Sequence, residues 1–111
     1  MNKELIRKMV KDAHIINWDI DGTVCNGESY TPEDCLIAKP RWDVINILNQ
    51  LSKKKYITML TARQIHLANS TIKWLNAHNV IHNGISHNKN ASDLYVDDKC
   101  VHIDDLIEAF K

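Results

Sequence analysis

The stretch "NWDIDGTVCN", residues 17–26, places two aspartates on either side of one isoleucine and follows them with a glycine and a threonine. The preceding "HIINWD" is a short apolar run that stops at Asp-Gly, which is typical of a buried strand ending in a turn. We therefore predict a first strand at residues 14–19, with Asp19 and Asp21 at its carboxyl end. Taken alone, the stretch fits an ordinary polar turn as well as a catalytic pair of acids.

Length and charge limit the classes of protein that fit the sequence. The chain has 111 residues, which suits a single domain. Lys and Arg number 14 and Asp and Glu number 14, so no bulk positive charge favours nucleic acid or a membrane surface as partner. The 3 cysteines lack CxxC spacing, and no stretch is apolar enough for a signal peptide or a spanning helix. We expect a soluble cytoplasmic protein.

Strand and helix patterns alternate along the rest of the chain. Residues 24–39 show no period and predict a loop or small flap. Pro40 fits the first turn of a helix that ends near Lys54. Apolar runs predict strands in "YITML" at 56–60 and "DLYVDD" at 93–98, with a short strand at 84–86. Helical spacing predicts a helix from Ile65 with Asn79 as its C-cap, and a last helix in "IDDLIEAF" at 103–110. Residues 1–12 form an N-terminal extension to which the sequence assigns no role.

This alternation predicts a parallel sheet with helices on both faces. Ligands of such sheets bind beyond the carboxyl ends of the strands. The polar residues at the predicted strand ends, or in the loop before the last strand, are Asp19, Asp21, Thr61, Lys89, Asp97 and Asp98. Their convergence at one edge is more informative than any single motif.

Four segments, in order, resemble the motifs of the haloacid dehalogenase (HAD) superfamily: "DIDGT", Thr61 after "ITML", Lys89, and "VDD" at 96–98. Within it, "AKPRWDVINILNQL", "TAR" and "KNASDLYVDDK" look most like capsule-biosynthesis and sugar-phosphate phosphatases, although Asn90 stands where that pattern has proline. The resemblance implies a three-layer Rossmann-like core with a central parallel sheet in one domain, residues 1–111. Residues 24–39 are too few for a cap domain, so it implies a capless member.

The chemistry of phosphate ester cleavage suggests a role for each acid. A carboxylate is ionised at pH 7, so Asp19 could attack phosphorus and form an aspartyl phosphate. Asp21 could protonate the leaving oxygen and then accept a proton from the attacking water.

A hard cation, most plausibly Mg²⁺, would bridge these acids. The expected metal ligands are Asp19, the backbone carbonyl of Asp21, Asp97 and, through water or in an outer position, Asp98. The expected phosphate contacts are Thr61, Lys89 (which would also orient Asp19) and the backbone N–H groups around Ile20 and Gly22. Arg63 fits either a phosphate contact or a cap of the following helix.

These expectations define a Mg²⁺-dependent phosphatase acting on a small phosphorylated metabolite such as a sugar phosphate. Two alternatives have the same chemistry and a different substrate: a polynucleotide 3′-phosphatase and a phosphoprotein phosphatase. The balanced charge of the chain disfavours nucleic acid. A non-catalytic binding domain of the same fold is an alternative of another class. An open site suits either a large substrate or a small one that a second subunit encloses. Leu67 and Trp74 could form part of such a homo-oligomer contact, or they could equally pack in the core.

Overall fold

The computed structural model describes residues 2–87 and 101–111, and its centre is a parallel sheet. The strands are β1 (Ile15–Trp18), β2 (Tyr56–Leu60) and β3 (Gly84–Ser86), in the order β1-β2-β3. Ile15 lies opposite Tyr56 and Thr58 lies opposite Gly84. All three strands were predicted from the sequence and are confirmed. The strand predicted in "DLYVDD" lies outside the described residues.

Helices alternate with these strands and give a small α/β fold compatible with a Rossmann-like core. The helices are α1 (Lys3–Asp12), α2 (Pro32–Ile37), α3 (Trp42–Leu51), a 3₁₀ turn (Ile65–Leu67), α4 (Ala68–Ala77) and α5 (Ile103–Ala109). In α3, Val44, Ile45 and Leu48 are buried, so the predicted apolar face does pack into the core.

The start of α3 differs from the prediction. Pro40 is not in the first turn of α3, because Arg41 is the N-cap and the helix begins at Trp42. The Arg41 N–H donates to the Val24 carbonyl at 2.8 Å, and the Asn26 N–H donates to the Lys39 carbonyl at 2.9 Å. These antiparallel bonds tie the approach to α3 to the segment that follows Asp21.

The flap, residues 24–39, is closed at its base by these bonds and contains the helix α2, which the sequence reading missed. Thr31 accepts from the Asp34 N–H at 3.1 Å, and the Asp34 side chain accepts from the Thr31 N–H, forming a capping box. A helix of this length is too short to show an apolar period. Its signal is "TPED", a cap residue followed by proline and acids.

The end of α4 is fixed by Asn79 and α3. Asn79 has a φ of 55°, the left-handed conformation common just after a helix, one position beyond the C-cap His78. Asn49 of α3 donates to the Asn79 carbonyl at 2.9 Å and accepts from the Ile81 N–H at 3.0 Å. Leu67, at the end of the 3₁₀ turn, and Trp74 in α4 are each 2% exposed, so both side chains are packed in the interior of the domain.

The N-terminal extension is a helix integrated into the domain. Asn2 caps α1 by accepting from the Glu4 N–H at 2.7 Å, and Ile6 is fully buried in the core. Helix α1 packs against α5, and Arg7 Nε donates to the Ala109 carbonyl at 2.6 Å. Among the described helices, none is long and apolar enough to cross a membrane.

We predict that Ile6→Ala lowers the free energy of unfolding by about 2–4 kcal/mol, because it opens a cavity between α1 and the core. Leu5→Ala is the matched control: Leu5 is 50% exposed, and its loss should cost only about 0.5 kcal/mol. Urea unfolding of both variants measures the difference. Equal effects of the two substitutions would show that α1 does not pack as described.

Candidate functional site

The turn after β1 presents Asp19 at the carboxyl edge of the sheet. The N–H groups of Thr23 and Val24 both donate to the Ile20 carbonyl at 3.1 Å, and Gly22 has a φ of +76°, which favours glycine. Asp19 is partly buried, and its Oδ1 accepts from the Ile20 N–H at 2.9 Å. This bond engages the Ile20 N–H, which we had expected to contact phosphate.

Asp21 makes a two-pronged ion pair with Arg63. Arg63 Nη2 donates to Asp21 Oδ1 at 2.7 Å, and Nε donates to Oδ2 at 3.0 Å. The Arg63 side chain is 2% exposed and that of Asp21 is 17% exposed. Such a fork fixes the plane of the carboxylate as well as its position.

The rest of the Arg63 guanidinium is also occupied by protein groups. Nη1 donates to Thr71 Oγ1 in α4 at 2.9 Å, and Nη2 lies 3.4 Å from Ser29 Oγ in the flap. Burial acts to lower the pKa of Arg63, but the hydrogen bond and the charge of Asp21 outweigh it and raise that pKa, so the guanidinium stays charged. The structure thus gives Arg63 partners other than the expected phosphate or helix cap.

Thr61 and His87 lie at the ends of β2 and β3 and support the backbone of Arg63. Thr61 is 1% exposed, and its Oγ1 accepts from the Arg63 N–H at 3.1 Å. His87 Nδ1 lies 3.0 Å from the Arg63 carbonyl oxygen, while its Nε2 is buried without a partner among the described residues. The ends of the three described strands therefore lie close to Arg63 and Asp21. Of the residues expected to converge at this edge, Asp19, Asp21 and Thr61 are described, and Lys89, Asp97 and Asp98 are not.

A cleft of about 1070 Å³ opens beside this cluster. Asp19, Asp21, Gly22 and Thr23 line its polar end. The remainder is lined mostly by apolar side chains, including Met9, Val10, Ile16, Ile103 and Leu106. The two aspartates are thus accessible to a ligand from the same side.

Oxygen donors at this end of the cleft match the preference of Mg²⁺. The carboxylate of Asp19 lines this end of the cleft, whereas the side chain of Asp21 is held by Arg63. Within residues 2–87 and 101–111, no group of three His, Cys, Asp or Glu side chains could hold a metal ion. The expected ligands Asp97 and Asp98, and the expected phosphate contact Lys89, lie outside the described residues.

The sequence reading missed the supporting roles of Ser29 and Thr71. Thr71 lies 8 positions after Arg63 and Ser29 lies 34 positions before it. Neither residue belongs to a motif, and each contact depends on how the flap and α4 fold back over the end of β2. No local pattern in the sequence carries that information.

Comparison with known families places the chain in a defined family. The family model described as the LNS2 domain of PITM 1-3 matches residues 16–111, and the chain therefore belongs to this family. LNS2 domains have a HAD-like fold of the phosphatase type. No curated protein and no solved structure matches the chain.

This match corrects the resemblance drawn from the sequence. The assignment to the capsule-biosynthesis and sugar-phosphate phosphatases is wrong, because the matching family is the LNS2 domain. The HAD-like fold is kept, because LNS2 domains share it. The motif "DIDGT" and the polar strand ends pointed to the HAD superfamily as a whole, whereas other segments had been used to choose a family within it. Helix α1 precedes the matched residues.

Cys25 is buried beside the ion pair, where its thiol lies 3.7 Å from Asp21 Oδ1. Burial and the nearby Asp21 carboxylate raise the pKa of Cys25 from 9.0 to about 11. The thiolate is the reactive form, so this cysteine is suited to packing rather than to nucleophilic chemistry.

We predict that iodoacetamide at pH 8 alkylates Cys25 at least ~100-fold more slowly in the folded protein than in urea, because the raised pKa depletes the thiolate. Mass spectrometry of the Cys25 peptide over time measures both rates. Raising the pH towards 10 should speed the labelling of the folded protein. Similar rates with and without urea at pH 8 would contradict the described environment.

Proposed function

We propose that the protein is a Mg²⁺-dependent phosphomonoester hydrolase that works through an aspartyl phosphate on Asp19. The observation that carries this proposal is the pairing of two carboxylates with different surroundings at one end of the cleft. Asp19 faces the cleft from the end of β1, while Asp21 is held by Arg63. Membership of a phosphatase-type fold family supports the same chemistry.

Asp19 would act as the nucleophile. Its carboxylate is oriented by the Ile20 N–H, which donates to Oδ1. Attack on phosphorus forms a bond from a carboxylate oxygen of Asp19 to phosphorus and breaks the ester bond, releasing the alkoxide or aryloxide. Holding the carboxylate in one orientation lowers the entropic part of the barrier.

Asp21 would handle the protons of both steps. It lies two residues from Asp19 and lines the same end of the cleft. It would donate a proton to a basic leaving oxygen and later accept one from the water that hydrolyses the aspartyl phosphate. Both carboxylate oxygens of Asp21 accept from Arg63, so the side chain is held in one orientation for this role.

When bound, Mg²⁺ would offset the negative charge that gathers as a phosphate approaches two aspartates. The residues proposed to hold it are Asp19, the carbonyl of Asp21, and Asp97 and Asp98, which lie outside the described residues. Thr61, Gly22 and Lys89 are proposed as phosphate contacts. Thr61 is 1% exposed, so its hydroxyl would reach a phosphate only at the base of the site.

The proposed substrate is a small phosphomonoester. The case for a sugar phosphate came from the family resemblance and falls with it. Balanced charge on the chain counts against a polynucleotide. The flap carries only a six-residue helix, so we propose that the domain is capless and that its cleft admits substrate directly.

We predict that Asp19→Asn abolishes release of phosphate from 4-nitrophenyl phosphate, a loss of at least ~10³-fold, because the amide does not form the covalent intermediate. EDTA should have the same effect on the unaltered protein, with recovery on adding Mg²⁺. Asp43→Asn is the matched control: Asp43 is a surface carboxylate paired with Arg41, and its loss should leave turnover unchanged.

Two outcomes would redirect the assignment. Full activity of Asp19→Asn, or of the protein in EDTA, would contradict the proposed chemistry. Phosphate binding without turnover by the unaltered protein would support the non-catalytic binding domain. A panel of small phosphomonoesters, a phosphopeptide and a 3′-phosphorylated oligonucleotide separates the substrate alternatives.

A further inference from the structure

The Arg63 side chain is directed into the protein, not into the cleft. Its three nitrogens all donate to protein groups: Nε and Nη2 to Asp21, and Nη1 to Thr71. The side chain is 2% exposed. A substrate phosphate would have to displace Asp21 or Thr71 to reach it, and displacement would leave a buried carboxylate or hydroxyl without a partner.

We infer that Arg63 is a positioning residue for Asp21, and that it serves the hydrolysis of the aspartyl phosphate rather than the binding of substrate. The inference rests on the proposed function. Arg63 touches neither the substrate nor the attacking water and acts only through the Asp21 carboxylate. By donating to both oxygens of that carboxylate, it fixes the plane and the position of the Asp21 side chain.

The step that depends on this positioning is the attack of water on the phosphorylated Asp19. A water oxygen bonds to phosphorus while the bond from phosphorus to the Asp19 oxygen breaks, and the electron pair returns to the Asp19 carboxylate. The proton lost by the water goes to Asp21. The products are inorganic phosphate and regenerated Asp19, so the step needs no other reactant.

The anchoring of Arg63 shows why arginine is needed here. Thr71 in α4 accepts from Nη1 of the guanidinium, and Thr61 at the end of β2 accepts from the Arg63 backbone N–H. The side chain is therefore fixed at its tip and at its base. A planar fork orients a carboxylate, whereas the ammonium of lysine supplies a point charge without that orientation. Arg63→Lys therefore keeps the charge and removes the alignment.

Stopped-flow kinetics of Arg63→Lys with 4-nitrophenyl phosphate tests the inference. Nitrophenolate leaves without a proton, so the first step should proceed normally and the second should slow. We expect kcat and KM to fall together by about 10–100-fold, with kcat/KM within about two-fold of the unaltered protein. A burst of about one nitrophenolate per chain should precede the slow steady rate.

Arg41→Lys is the matched control, since Arg41 pairs with the surface residue Asp43 at 3.0 Å, and it should leave all three parameters unchanged. A loss of kcat/KM without a burst in folded Arg63→Lys, as lost substrate binding would give, overturns the inference. Unchanged kcat also overturns it. With either of these outcomes, turnover by the unaltered protein would still support the proposed function.

Thr71→Val keeps the test decisive if circular dichroism shows that Arg63→Lys is unfolded. This variant loosens Nη1 and leaves Arg63 in place, so we expect a several-fold fall in kcat with a burst and unchanged kcat/KM. A fall without a burst overturns the inference. If the unaltered protein releases no nitrophenolate at all, the proposed function is overturned and this inference with it.

Discussion

The buried ion pair between Arg63 and Asp21 is the interaction on which the arrangement of the site depends. A guanidinium that is 2% exposed is strongly destabilising unless its charge is paired and its N–H groups are bonded. The fold meets both needs with Asp21, Thr71 and Ser29. These partners come from the turn after β1, from helix α4 and from the flap, so the Arg63 side chain joins three separate parts of the chain.

The parallel sheet makes this convergence possible. Strands β1, β2 and β3 run in one direction, so Asp19, Thr61 and His87 follow their carboxyl ends at one edge. The flap then folds over the same edge through the bonds between Val24 and Arg41 and between Asn26 and Lys39. A polar site at this edge is therefore a consequence of topology, while the assignment of each side chain within it depends on local contacts.

Much of this topology could be predicted from the sequence, because buried parallel strands are written as short apolar runs ending in turn residues. The strands at 14–19 and 56–60 were predicted in this way. The helix in "IDDLIEAF" was predicted as well. Helix α1 was left unassigned although Leu5, Ile6, Met9 and Val10 recur at helical spacing behind the cap Asn2. That pattern is weak because charged residues dominate the segment. Of the residues in α1, only Ile6 is buried, so the helix has a narrow apolar contact with the core.

The pairing within the site was beyond the sequence for a different reason. Asp21 and Arg63 are 42 positions apart, and a motif at each position says nothing about which side chains meet. Arg63 after "TA" looks like a residue exposed at a strand end, suited to phosphate. Its burial arises because the flap and α4 close over it, which is a property of the whole fold. The choice of family likewise changed only on comparison with the LNS2 domain.

A double-mutant cycle on the free energy of unfolding tests the importance of this ion pair most directly. Asp21→Asn and Arg63→Met should each lower the free energy of unfolding by about 3 kcal/mol, because each leaves a buried partner unpaired. If the pair organises the site, the double variant should lose no more than about either single variant, a coupling of about 2 kcal/mol or more. Single effects that add to within about 0.5 kcal/mol would show that the two side chains stabilise the protein independently, and would contradict the central role of the pair.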